Sequence, residues 1–245
     1  MINFASFCRF SERGFNVSEF LQNFRETIID TGYYKMMIDG FEKTIIITLG
    51  ALIIGVVIGM LIAVVKYFAD DTKALKPVVW ICDIYITVIR GIPVTVLLLI
   101  FFFVIFVSSD DGLSVAILTF GINSGAYMAE LIRSGINAVD KGQMEAGRSL
   151  GMSKLQTMRK IIMPQAVRYI LPAIGNEMIA LFKETSVAGY VAVIDLTKAG
   201  DIVKNLTYDA TNPLLVVAAT YLIVVIIMTQ LLNLLERRLA KSDKR

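Results

Sequence analysis

Apolar and polar positions alternate along this chain in long blocks. The first apolar block, 44–65, contains no charged residue and exceeds the roughly 20 residues that a helix needs to cross the hydrocarbon layer of a bilayer. The second begins near Pro77 and becomes strongly apolar over 93–107, with Arg90-Gly91-Ile92-Pro93 interrupting it. Proline removes a backbone donor and disturbs the preceding turn, so this block predicts one helix bent at Pro93. A short turn at 108–112 leads to a third block, 113–136, which carries Asn123, Tyr127, Glu130 and Arg133. A fourth, 169–194, is interrupted by Pro172, Gly175, Glu177, Lys183 and Glu184. Residues 195–212 are expected to leave the membrane, and 214–235 is a clean fifth span. The pattern therefore predicts an all-α integral membrane protein with five transmembrane helices.

The ends are less regular. Residues 1–15 lack the apolar centre of a signal peptide and are expected to be retained. Over 18–38, Phe20, Leu21, Phe24, Ile28, Tyr34 and Met37 recur near helical spacing among Glu19, Arg25, Glu26 and Asp30. This fits an amphipathic helix on a membrane surface or a partly ordered tail. The expected organisation is an extracytoplasmic segment 1–41, a five-span domain 42–238 and a basic tail 239–245. Within the first span, Gly55 and Gly59 form a Gly-x-x-x-Gly pair that allows another helix to approach closely.

Composition agrees with the membrane reading and narrows the chemistry. The chain is 56% hydrophobic and 18% charged, against about 25% charged in soluble domains. It has no histidine, which removes Ser-His and Cys-His catalysis and His-ligated metal sites. Cys8 and Cys82 form no metal or disulfide pattern. A net charge of +3 is too small to argue for nucleic acid. Its distribution matters more: the 66–76 loop, residues 133–168 and the tail from 236 hold fifteen Lys and Arg, while the opposite set of loops holds six. Basic loops stay inside, so the N-terminus is expected outside and the C-terminus in the cytoplasm.

The longest basic loop, 137–167, has a readable local grammar. Residues 142–150 predict a short helix stopped by Gly151. Ser153 and Gln156 have capping-box spacing and open a second helix running towards Pro164. The segment 142–149 also has the outline of a nucleotide-binding loop, but Arg148 stands where the phosphate lysine is needed and no strand precedes it. A folded, basic helix–turn–helix between two spans predicts a docking element for a cytoplasmic partner.

Glu145-Ala146-Gly147, three residues, Gly151, nine residues, Ile161, one residue, Met163-Pro164 resembles the EAA signature of ABC importer permeases, with Gly147 for the second alanine and Met163 for leucine. Segments 126–130, 133–136, 141–143 and 183–186, with Arg90-Gly91-Ile92-Pro93, resemble the permeases of polar amino acid importers of the histidine, glutamine and arginine type. Ile92 replaces that family's usual threonine, and Val187 a frequent leucine. The similarity covers about 38–238.

The resemblance implies the type I importer permease fold in the cell membrane and a non-enzymatic subunit with no cofactor of its own. ATP and Mg²⁺ would belong to a cytoplasmic ABC ATPase dimer. A second permease subunit, identical or homologous, and an extracytoplasmic amino acid binding protein complete the implied assembly. Glu145, Ala146, Gly147, Gly151, Ile161 and Pro164 would couple to the ATPase. Intramembrane polar groups are costly and therefore candidates for the substrate path: Asn123, Tyr127, Glu130, Glu177, Lys183 and Thr185. A zwitterion needs acceptors, from Glu130 or Glu177, and donors, from Asn123 or Lys183. Ion pairs such as Glu130 with Arg133, or Lys183 with Glu184, are the structural alternative. A secondary carrier or channel is the alternative function, although no inverted repeat is apparent.

Overall fold

The computed structural model describes residues 22–69 and 73–242. Among them every regular element is helical. A π-helical turn, Arg25–Asp30, ends at Gly32, whose left-handed φ of +75° reverses the chain. Helix α1, Tyr34–Ala69, then runs for 36 residues, about 54 Å and so longer than the apolar layer is thick. The expected division at 41/42 falls inside this one helix. The amphipathic stretch expected at 18–38 is broken at Gly32, and residues 18–21 lie outside the described residues. Phe24 and Ile28 pack with Met37 against Leu196, Ala199, Val203 and Val217, so this segment rests on protein.

Helix α1 buries a stripe at Thr44, Ile47, Thr48, Ala51, Gly55, Gly59 and Ile62 against helix α4, Gly112–Asn137. The interlock is reciprocal. A Cβ on Gly55 would lie 2.8 Å from Ser124 Oγ, and one on Gly59 would lie 2.5 Å from Met128 Cβ. In return, a Cβ on Gly121 would meet Ile54 at 2.7 Å, and one on Gly125 would meet Ile58 at 2.8 Å. Each helix thus inserts side chains where the other has none, so the backbones approach closely. The Gly55–Gly59 expectation holds, and Gly121-Ile-Asn-Ser-Gly125 is its unrecognised counterpart. Helix α4 is the centre of the fold, with 67% of its apolar window buried. The Asp111 side chain caps its N-terminus by accepting from Ser114 N at 3.1 Å.

Helices α2, Lys76–Gly91, and α3, Val94–Ile100, are separated at Ile92–Pro93 and inclined by 106°. The bend expected at Pro93 is therefore a break. Helical backbone is disfavoured for a residue before proline, and Ile92 is extended at φ −106°, ψ 132°. Helix α3 continues as a π-helical turn, Phe101–Ile105.

After the loop helices α5, Gly142–Ser149, and α6, Lys154–Thr157, a π turn at Met158–Ile162 leads into α7, Met163–Glu184. The block expected at 169–194 is thus a helix with other limits, and it does not qualify as a span by length and composition. It starts earlier and yields at Thr185 to a tighter 3₁₀ turn, Thr185–Val191. Helix α8, Leu196–Thr207, is amphipathic and packs on α1 and on α9, Thr211–Ser242. Asp195 caps it through Thr197 N and Lys198 N, and burial pushes the Asp195 carboxyl up from its ordinary range. By length and composition α1, α4 and α9 qualify as spans, and the broken α2–α3 pair makes a fourth. Exposed apolar side chains cover α1, α2, α3 and α9, among them Ile53, Trp80, Val96 and Leu222, as a surface facing lipid or other subunits requires.

Candidate functional site

Two sites emerge, one in the loop and one among the spans. In the loop, Gly151 takes φ +80° and ends α5, as its sequence position predicts. Ser153 opens α6 with a full capping box: Gln156 N donates to Ser153 Oγ at 3.2 Å, and Ser153 N donates to Gln156 Oε1 at 2.8 Å. The two helices meet where Gly147 is buried against Thr157. A Cβ on Gly147 would lie 2.8 Å from Thr157 Oγ1 and 3.1 Å from Thr157 Cβ. Glycine at this signature position is therefore matched to a buried threonine across the turn.

The consequence is measurable. Gly147→Ala should destabilise the protein by about 1–3 kcal/mol through overpacking, read as a lower melting temperature in detergent. Adding Thr157→Ala should restore most of the loss; the absence of rescue would place the strain elsewhere.

Glu145, Ala146 and Gly151 are exposed, Ile161 is half-buried, and Pro164 occupies the first turn of α7. Leu150 is 81% exposed and Leu155 is 55% exposed. These two apolar side chains on a polar loop escaped the sequence reading, although a leucine beside a helix-stopping glycine was a usable signal. The inner side of the loop is anchored: Val139, Met158 and Ile162 pack with Ala63 of α1, Ile132 of α4 and Ala166 and Ile170 of α7. The Tyr67 hydroxyl donates to the Lys154 carbonyl at 3.4 Å, and the Lys154 ammonium sits 5.0 Å from the Tyr67 ring centroid.

Among the spans, α4 and α7 bring part of the expected set together. Asn123 is buried and Ser124 fully so; Ser124 Oγ donates to Glu177 Oε1 of α7 at 3.3 Å. Tyr127 lies one turn further along α4, and the Arg90 guanidinium stands 4.9 Å from its ring centroid. Arg90 comes from the α2 end at the break. Its place beside Tyr127 was not read from the sequence, where Arg90 appeared in the proline bend and in a motif shared with the resembling family.

The other candidates stand apart. Glu130 accepts two hydrogen bonds from Arg133 on the same helix, at 2.7 and 3.2 Å. Its partner is thus one turn away on α4, not on a facing helix. Thr185 is fully buried and donates to the Phe182 carbonyl at 2.8 Å, closing the end of α7. Lys183 is exposed near the same end.

This architecture has close parallels. A family model described as the binding-protein-dependent transport system inner membrane component matches residues 55–241. The chain belongs to that family and is the membrane-embedded permease component of a solute transport system. It is 35% identical over 211 residues to a probable glutamine ABC transporter permease of Bacillus subtilis (strain 168), covering 85% of this chain and 95% of that one. It is 32% identical over 210 residues to an arginine transport system permease of the same organism, covering 84% and 94%. Among solved structures, one of an amino acid ABC transporter with histidines superposes with a TM-score of 0.78 at 39% identity, over 85% of this chain and 96% of that one. A methionine ABC transporter in an inward-facing conformation shares the fold, with a TM-score of 0.69 at 22% identity.

Proposed function

We propose that this permease forms half of the membrane pathway of an ATP-driven importer for a polar amino acid. The observation that carries the reading is the loop at 137–167. One side of it presents Glu145, Ala146 and Leu150 to the cytoplasm, and the other packs on the ends of α1, α4 and α7. A push on the outer side is thereby passed to the helices that hold the polar groups of the path. Glu145, Ala146, Gly147, Gly151, Ile161 and Pro164 form the coupling element. Its partner is a cytoplasmic ATPase dimer, which carries ATP and Mg²⁺. A second permease subunit and an extracytoplasmic binding protein complete the machine in the cell membrane.

The chain crosses five times, counting α2–α3 as one broken crossing and α7 as a polar one held by its neighbours. The N-terminal segment lies outside, and the basic loops and tail lie inside, as the charge distribution requires. Along the path, Glu177 offers an acceptor for the substrate ammonium, and Asn123 and Arg90 offer donors for its carboxylate, with Tyr127 holding Arg90 in place. Glu130 has its acceptors taken by Arg133, so it supports the path from the side.

Glu177→Gln should raise the half-saturating substrate concentration of reconstituted uptake by roughly tenfold or more, the weight of one charge-assisted hydrogen bond. Glu130→Gln should change it by less than about threefold. Uptake by the assembled complex should require ATP; uptake driven by a proton gradient without ATP would replace this reading with a secondary carrier.

A further inference from the structure

A cleft of about 590 Å³ between the loop-side ends of α1, α2 and α4 is unused by the reading above. Its lining sets Lys66, Lys76 and Arg133 against one carboxylate, Asp83, with Tyr67 and Asn137 on the walls. Lys66 pairs with Asp83 at 2.5 Å and Arg133 with Glu130 at 2.7 Å, while Lys76 has no ion pair among the described residues. The net charge of the lined site is therefore positive.

The surroundings of the cleft indicate what supplies the anion. Trp80, the single tryptophan of the chain, is 67% exposed beside it, and Phe68 is exposed at the end of α1. Exposed aromatic residues next to lysines mark the interface between headgroups and acyl chains. Beyond them, Ile81, Ile84 and Val88 on α2 and Leu61 and Val64 on α1 present apolar surface. A cation-lined cleft thus opens beside a face suited to hydrocarbon.

We propose that this cleft binds the phosphate of an anionic phospholipid of the cytoplasmic leaflet. Lys76, without an ion pair among the described residues, is the principal donor, Lys66 and Arg133 flank it, and the acyl chains run along Ile81 and Ile84. A zwitterionic lipid brings its own ammonium towards the same cations and is disfavoured, whereas a single negative charge matches the site. The leaflet assignment rests on the orientation given above. Tyr67, one wall of the cleft, also receives Lys154 of the coupling loop, so an occupied cleft steadies the seat of that loop.

The test uses the full-length chain, purified with the subunits that accompany it, in detergent micelles containing equal amounts of phosphatidylglycerol and phosphatidylcholine. Native mass spectrometry then counts the bound lipids. The wild type should retain phosphatidylglycerol over phosphatidylcholine by about fivefold, and Lys76→Gln should bring the ratio near unity, as expected for one cation at the headgroup. Equal retention of the two lipids by the wild type, or an unchanged preference in the variant, would overturn the proposal. Displacement of phosphatidylglycerol by an equal concentration of inorganic phosphate would also overturn it, in favour of a soluble anion. Orientation is read separately, with Lys76→Cys in a chain carrying Cys8→Ser and Cys82→Ser. An impermeant maleimide should label it only after cells are opened. Labelling of intact cells would overturn the orientation and hence the leaflet, while the retention ratio still reports headgroup choice on its own.

Discussion

Replacing Gly59 with leucine should prevent the protein from accumulating in the membrane as a stable species, the largest effect expected of any single substitution outside the loop. A Cβ at this position would meet Met128 Cβ at 2.5 Å and the Ala129 backbone nitrogen at 2.8 Å. The obstruction is partly backbone, which no rotamer change relieves. The two helices must then separate, and the neighbouring insertions of Ile54 at Gly121 and Ile58 at Gly125 loosen with them. Because α1–α4 is the most extensive helix pair in the fold, the effect spreads through the bundle. Gly59→Ala should cost about 1–3 kcal/mol, and leucine more. Size-exclusion chromatography after graded heating measures both. A leucine variant with wild-type thermal behaviour would show that these helices do not pack at the distance described.

Gly151→Val should act by a different route. No atom lies within 4 Å of a Cβ built on Gly151, so the added side chain meets no obstacle. The cost is conformational: φ is +80°, where a β-branched residue is strained by about 1–2 kcal/mol. The chain relieves that strain by moving the turn, which changes the angle between α5 and α6 and displaces Leu150 from Glu145 and Ala146. The variant should insert at normal levels but lose at least about tenfold of ATP-coupled uptake, with ATP hydrolysis no longer stimulated by substrate. Gly151→Asn is the control, since asparagine tolerates the left-handed region, and it should keep most of the activity. Normal uptake by the valine variant would remove Gly151 from the coupling element.

The loop was legible because its signals are local. Ser153 and Gln156, three residues apart, form the capping box, and Gly151 takes the left-handed turn. Helices α1 and α9 were legible because blocks such as 44–65 and 214–235 admit no charge, and α4 because its Glu130 and Arg133 lie towards one end of an otherwise apolar run. Helix α7 was less so. In α7, Pro172, Glu177 and Lys183 interrupt the apolar pattern, and its end is set by a side-chain bond rather than by a change of composition. Thr185 closes α7 through the Phe182 carbonyl, a bond that residue spacing does not announce. The pairing of Glu130 with Arg133, three residues away on one helix, was available from helical geometry. The approach of Arg90 to Tyr127 was not, because it depends on how α2 packs against α4. Likewise, the match between Gly147 and Thr157 requires the turn to be built before the two positions can meet.

The polar character of α7 has a consequence for how the protein is made. A helix bearing Pro172, Asn176, Glu177, Lys183 and Glu184 gains too little from hydrocarbon to partition into the bilayer unaided. Its place is secured by α4, through Ser124 and Glu177, and by α9, whose Leu232 fills the space left by Gly175. Helix α4 is synthesised before α7, but α9 emerges only after it. The chain must therefore hold an unfinished helix beside α4 until its C-terminal span arrives, so biogenesis, unlike transport, depends on the order in which the ribosome delivers these three helices.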